Sequence, residues 1–161
     1  MDYPLNPLTL LTFLPVLGAV LVLLLSEERR EAIRWVALVI SLLVFAVSLW
    51  VLSLFDPANV RLQLVACHNW FTLGSSSISY FMGIDGLSIL LVLLTTFLTP
   101  IAMLSTWSAV KENVKGFMAF FLLLETGMLG VFLAQDLILF YIFWELDRKS
   151  TRLNSSHEWI S

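Results

Sequence analysis

The sequence predicts an all-α, polytopic transmembrane helix bundle with four full spans and a truncated fifth. Hydrophobic residues make up 59% of the 161 residues and charged residues only 13%, a balance that argues against a soluble domain with one core. The mean hydropathy of +0.91 agrees. Four apolar runs of about 18 to 21 residues are each long enough to cross a bilayer. The carboxylates are scattered and no basic stripe is present, so we expect a lipid bilayer and no nucleic acid as the surroundings.

The first span is expected at Leu8–Leu25. We expect it to be a retained span rather than a signal peptide, because Asp2 and no Lys or Arg precede it and the run is longer than a typical h-region. The second span is Trp35–Phe55, with tryptophans near both ends, where an amphipathic ring prefers the headgroup level. The mixed segment up to Ile84 is predicted to lie outside the membrane. Its alternating apolar residues predict two short strands, with a turn between Leu73 and Ser77.

The third span begins at Ile84 or Leu87 and ends near Trp107, and Pro100 inside it is expected to kink the helix. The fourth span is Phe117–Ala134. Its Gly127 and Gly130 would allow a neighbouring helix to approach closely.

The basic residues of two short connectors predict the orientation of the chain. Arg29, Arg30 and Arg34 flank one connector and Lys111 and Lys115 lie in another. Both connectors are on the same side if spans two and three are complete. The positive-inside rule then places them in the cytoplasm and the N-terminus outside the cell.

Two carboxylates, Glu125 and Glu145, stand inside runs that are otherwise apolar. If the chain turns near Gln135 and Asp136, both lie about 12 to 15 Å from that turn, near mid-membrane. A charge there costs roughly 2.5 to 3.5 kcal/mol, so such residues usually serve an ion or proton path. The alternative for Glu145 is a bond to a backbone or hydroxyl group of a neighbouring helix. For Glu125 the alternative is a packed, protonated hydrogen-bond donor.

The end of the sequence differs from the rest. Leu137–Leu146 starts a fifth span with about ten apolar residues, half of what a crossing helix needs. Residues 147–161 are abruptly polar, and Asp147, Arg148 and Lys149 would be costly at mid-membrane depth. We therefore expect two parts: a transmembrane region at 1–146, and at 147–161 a tail that resembles read-through rather than a native segment.

Residue types that carry redox or metal chemistry are sparse. Cys67 stands alone, and His68 beside it has no partner at metal-ligand spacing, so both are expected to be loop residues. No GxGxxG, no GxxxxGK[ST] and no cysteine cluster occurs. We therefore expect no cofactor and no metal on this chain.

Two segments carry a resemblance to a known family. GIDGLSILLVLLT at Gly83–Thr95 and LLLETGMLGVFLAQDLILFYIFWEL at Leu122–Leu146 resemble subunit M of bacterial NADH-quinone oxidoreductase, the chain 4 type of complex I. The resemblance covers essentially residues 1–146 and implies the N-terminal part of an antiporter-like subunit. In that family the glutamate matched by Glu145 pairs with a lysine on a later helix, and changes in the pair move protons. Asp85 matches the family's IDGLS motif at the third helix, where we expect a structural or N-terminal capping role rather than proton carriage.

The resemblance implies a proton-translocating subunit of a respiratory-chain enzyme in the bacterial inner (plasma) membrane. NADH, flavin, iron–sulfur clusters and quinone would be bound by other subunits, and neighbouring membrane subunits would be the partners. One alternative is an Mrp-type Na+/H+ antiporter subunit, which shares the acidic fifth helix. Another is a structural membrane anchor without transport, whose host complex would stay active without Glu125 and Glu145.

Overall fold

The computed structural model describes residues 6–59, 61–73 and 76–157, with side chains left out at 68–79 and 150–157. Five helices follow one another along the chain, and a two-stranded hairpin lies between the second and third. The helices are α1 (Pro7–Leu24), α2 (Arg30–Leu54), α3 (Gly86–Ser105), α4 (Val114–Leu133) and α5 (Leu137–His157). The strands are β1 (Gln63–Leu73) and β2 (Ser76–Ile84).

Helices α1 to α4 are long and apolar enough to cross a membrane, which confirms the four predicted spans. Helix α2 begins at Arg30, one turn before the apolar run at Trp35, because the charged residues of the connector continue the helix. Helix α1 begins after Asn6, whose side-chain oxygen accepts a hydrogen bond from the Leu8 N–H at 3.0 Å. Pro7 at the first helical position suits this start, since its missing N–H would have no helical partner there.

The hairpin between α2 and α3 is antiparallel, with Cys67 opposite Phe81 in its register. The predicted turn therefore lies between the two strands, and Gly74 and Ser75 at its tip are outside the described residues. The Phe81 carbonyl accepts a hydrogen bond from the Gln135 N–H at 2.9 Å. The Asn6 amide also donates to the Leu64 carbonyl at 3.3 Å. The hairpin thus joins the start of α1 to the α4–α5 turn, and we call this side of the bundle the hairpin end.

The opposite side, the connector end, holds the α1–α2 and α3–α4 connectors. Arg30 donates to the Lys111 carbonyl at 2.7 Å, and Arg34 donates to the Val110 carbonyl at 2.8 Å. The Arg34 guanidinium also lies 5.7 Å from the centre of the Trp107 ring. The two basic connectors are therefore on one side, as the sequence predicts.

Helices α1 to α4 pack around one apolar core. Fully buried residues come from all four helices, among them Leu11, Ala37, Val92 and Leu122. At Gly18 a Cβ would lie 2.5 Å from Ile40 Cγ2, so glycine is what lets α1 and α2 approach. Between α2 and α3, the buried hydroxyls of Ser48 and Thr96 are 2.9 Å apart. Hydroxyl pairs of this kind link helices where water is excluded.

Helix α5 packs against α4 through the two glycines that the sequence singled out. A Cβ at Gly127 would lie 3.1 Å from Asp147 Cα, and one at Gly130 would lie 2.2 Å from Phe143 ring atoms. The close approach predicted for these glycines is confirmed. Helix α5 continues past Leu146 to His157, so the helix does not end where the apolar run ends. A separate origin for residues 147–161 stays a prediction.

Candidate functional site

Glu125 and Glu145 lie at similar distances from the hairpin end, on neighbouring antiparallel helices. Glu125 is eight residues before the end of α4 at Leu133, and Glu145 is eight residues after the start of α5 at Leu137. At 1.5 Å rise per residue, each lies about 12 Å from the turn at the hairpin end. This agrees with the distance from the turn that the sequence predicts.

Glu125 is enclosed in the core of the bundle. The residue is 0% exposed, and neither carboxylate oxygen has a hydrogen-bond partner among the described residues. Thr99 on α3 is the polar side chain that lies against the carboxyl. The Thr99 hydroxyl, however, donates its hydrogen bond to the Thr95 carbonyl at 2.9 Å. Glu125 is therefore a buried acid beside a hydroxyl group whose proton is already in use.

Glu145 has different surroundings. Its side chain is 18% exposed, and its Oε1 lies 3.2 Å from an Arg148 guanidinium nitrogen one turn further along α5. Arg148 in turn lies over the Trp144 ring, 5.4 Å from its centre. The cation near Glu145 thus comes from the polar segment that follows the apolar run.

The two carboxylates do not share a site in the described part of the chain. Phe143 and Asp147 mark the face of α5 that contacts α4, and Glu145, two residues from each, is about 200° round the helix from both. On α4, Glu125 is about 140 to 200° from Gly130 and Gly127, which contact α5. Each acid therefore lies on the side of its helix that faces away from the other helix.

An exposed apolar stripe on α5 leads up to Glu145. Ile138, Tyr141 and Ile142 are 44%, 56% and 48% exposed, and at helical spacing they flank Glu145 on the same side. The acid lies at the end of this apolar stripe, and Arg148 and Lys149 follow it on the same face. A partner for the carboxyl could reach it from this side.

Asp85 caps helix α3, as expected. Its Oδ1 accepts hydrogen bonds from the N–H groups of Ser88 at 2.7 Å and Leu87 at 3.1 Å. The bond from the Ser88 N–H is the main cause that lowers the pKa of Asp85 below its ordinary value. The carboxylate is thus held ionised at the helix start, outside the span.

The described residues include no group of three or more His, Cys, Asp and Glu side chains placed to hold a metal ion. Cys67 is exposed on the hairpin, and the side chain of His68 is outside the described residues. Sequence reasoning missed Thr99 as a neighbour of Glu125. The only signal in the sequence was the cluster of threonines at 95, 96 and 99 inside an apolar span.

Similarity to known proteins covers most of the chain. Residues 32–135 match the family described as NADH-ubiquinone oxidoreductase chain 4, amino terminus. NADH-quinone oxidoreductase subunit M of Rhodobacter capsulatus is 43% identical over 144 residues, which are 87% of this chain and 27% of that protein. NADH-ubiquinone oxidoreductase chain 4 of Arabidopsis thaliana is 39% identical over 131 residues, or 81% of this chain and 26% of that protein. The chain thus spans about a quarter of the length of these relatives.

A solved structure shares the fold. The membrane-bound sulfane sulfur reductase, an archaeal respiratory membrane complex, contains a chain that superimposes with a TM-score of 0.66. The match has 20% sequence identity and covers 90% of this chain and 22% of that one. It supports a membrane helix bundle of the kind found in respiratory complexes.

Proposed function

Because the chain belongs to the NADH-ubiquinone oxidoreductase chain 4 family and matches its amino-terminal part, we propose that it is a piece of a proton-translocating membrane subunit. The host would be an NADH:quinone oxidoreductase, in which other subunits bind NADH, flavin, iron–sulfur clusters and quinone. In this proposal the chain moves protons across the membrane while quinone is reduced at other subunits of the complex. Its partners are the neighbouring membrane subunits of that complex.

Glu145 is the residue that we propose binds and releases the proton. The observation that carries this proposal is its place about 12 Å from the turn, at the end of the exposed apolar stripe formed by Ile138, Tyr141 and Ile142. In such surroundings a carboxyl binds a proton readily when no cation is near and gives it up when a cation approaches. Arg148 at 3.2 Å supports the idea that the carboxyl accepts a cationic partner. The resemblance implies that a lysine on a later helix has this role in the whole protein.

The orientation that we propose places the connector end in the cytoplasm and the hairpin end outside. The cations that flank the connectors support it, because positively charged residues of short connectors are retained inside. By analogy with the Rhodobacter relative, the membrane would be a bacterial inner membrane.

The test is the Glu145→Gln variant of the full-length subunit in its assembled complex. Glutamine keeps the size and a hydrogen-bonding oxygen but cannot bind or release a proton, so NADH oxidation should pump far fewer protons. Proton uptake per NADH oxidised, measured in sealed membrane vesicles, gives the result. The control is Glu112→Gln in the exposed α3–α4 connector, which should pump normally. Normal pumping by the Glu145 variant would refute the proposed role and favour a structural anchor.

The relatives separate this proposal from the antiporter alternative. The chains described above carry the name NADH-quinone or NADH-ubiquinone oxidoreductase, and the family match has the same name. An Mrp-type Na+/H+ antiporter subunit would share this N-terminal region but would belong to a complex without redox subunits, which these names do not describe. We therefore propose the oxidoreductase as the host.

A further inference from the structure

Glu125 is a buried carboxyl that has no part in the proposed role of Glu145. The carboxyl is fully buried, neither of its oxygens has a hydrogen-bond partner among the described residues, and it faces Thr99 across the α3–α4 contact. Buried polar atoms in native proteins are nearly always paired, so this carboxyl requires an explanation.

The hydroxyl of Thr99 decides which form of the carboxyl can bond to it. A hydroxyl has one proton to donate and two lone pairs that accept. The Thr99 proton is directed to the Thr95 carbonyl at 2.9 Å, so toward Glu125 the hydroxyl can only accept. An ionised carboxylate also only accepts, and two acceptors form no bond. As long as Thr99 keeps its bond to Thr95, the pair can bond only if Glu125 carries a proton and donates it.

The buried hydroxyls of this core are already used, and the titratable side chain of α5 that faces α4, Asp147 beside Gly127, is an acid and supplies no positive charge for an ionised Glu125. On α4 the Thr126 hydroxyl donates to the Leu122 carbonyl at 3.1 Å. On α1 the Thr12 hydroxyl donates to the Leu8 carbonyl at 2.9 Å. On α4 the preceding cation is Lys115, ten residues before Glu125 and about 15 Å away along the axis.

The other described cations of the packed helices lie on α5 and at the connector end. On α5, Arg148 pairs with Glu145 at 3.2 Å, on the side of that helix turned away from α4. Arg30 and Arg34 are at the start of α2 and donate to carbonyls of the α3–α4 connector. Helices α1 and α3 contain no Lys, Arg, Asp or Glu within Pro7–Leu24 and Gly86–Ser105. An ionised Glu125 would thus be an unpaired charge in the core, which is among the costliest arrangements in a membrane protein.

We propose that Glu125 keeps its proton throughout turnover and donates it to the Thr99 hydroxyl, so that it positions α4 against α3 and passes no proton to Glu145. The opposite directions of the two acids support the second half of this statement. Glu125 lies on the side of α4 turned away from α5, and Glu145 lies on the side of α5 turned away from α4. This inference does not depend on the proposed role of Glu145.

The experiment uses infrared spectroscopy on the assembled complex with its full-length subunit. Wild type should show a carbonyl-stretch band of a protonated, hydrogen-bonded carboxyl that Glu125→Gln removes. Thr99→Val should move the band to the higher frequency of a carboxyl without a hydrogen bond, while Thr99→Ser should leave it in place. The band should persist when NADH and quinone are supplied. A Glu125→Gln variant that loses no such band, or a band that vanishes during turnover, would overturn the proposal.

Proton pumping gives a second readout. The side-chain amide of glutamine still donates to Thr99, so Glu125→Gln should keep the wild-type number of protons per NADH. Loss of pumping in an assembled Glu125→Gln complex would overturn the proposal by showing that the proton is exchanged. If that variant does not assemble, the band shift in Thr99→Val decides alone. Failure of the Glu145→Gln prediction would leave all of these outcomes unchanged, so the two proposals fail separately.

Discussion

Gly130→Ala tests whether the α4–α5 contact needs a glycine. A Cβ at this position would lie 2.2 Å from the Cγ and Cδ1 atoms of Phe143. Carbon atoms in contact are normally about 3.5 to 4.0 Å apart, so the helices would have to separate by more than about 1 Å. Phe143 is 5% exposed, and its ring also contacts Phe13 at 6.4 Å between centres. The ring therefore has little room to turn away.

The expected loss of stability follows from this overlap. Overpacking of a well-packed contact costs about 1 to 3 kcal/mol, and we expect this range for Gly130→Ala. Gly86→Ala is the matched control, because a Cβ there meets no atom within 4 Å. Alanine at that position should leave the stability unchanged or raise it by up to about 1 kcal/mol through its higher helix propensity.

The assay is thermal unfolding of the purified full-length subunit, followed by circular dichroism for both variants and wild type. Gly130→Ala should unfold at a lower temperature than wild type, and Gly86→Ala should not. A second readout is proton pumping in the complex, since Phe143 is two residues before Glu145. Equal unfolding temperatures for the two variants would refute the packing argument, because the overlap at Gly130 would then have been absorbed at no cost.

Two further predictions concern the hairpin and the start of α3. Asp85→Ala should destabilise by about 1 kcal/mol in thermal unfolding through loss of the cap, whereas Asp85→Asn should keep most of the cap. Because the pKa of Asp85 is lowered in the folded protein, its stabilising effect is complete above the unfolded value of about 3.9 and is lost as the pH falls through the folded value. Wild type should therefore lose more stability on acidification than Asp85→Asn does, and equal losses would contradict this. Cys67, exposed on the hairpin, should react with a membrane-impermeant maleimide in intact spheroplasts, with Cys67→Ser as the control; reaction only in inverted vesicles would reverse the proposed orientation.

The parts of the fold that follow from local sequence were predictable. The lengths of the four apolar runs fixed the spans, and alternation of apolar residues indicated the hairpin. The cap at Asp85 was expected from an aspartate directly before the third apolar run. Helix boundaries were less accurate, because charged residues such as Arg30 continue a helix beyond the apolar run at no cost in water.

The directions of the two acids were not predictable from the sequence. Glu125 and Glu145 stand in equally apolar runs, and only the contacts of Gly127, Gly130 and Phe143 show which sides of α4 and α5 meet. The same is true of Thr99, whose role depends on the neighbour that it faces across a helix contact. Such information comes from tertiary packing, which a single sequence does not contain.

The two ends of the bundle are fastened in different ways, and this determines how α5 can move. At the hairpin end, backbone pairing of Gln135 with Phe81 and of Ala134 with Met82 holds the turn in a fixed direction. If α5 tilts, the helix would therefore pivot about this turn. Glu145 is about 12 Å along the helix from the turn, so a tilt of about 10° would move its carboxyl sideways by roughly 2 Å. That distance is enough to make or break an ion pair, so a small rotation at the fixed turn becomes a change in the charge environment of the acid.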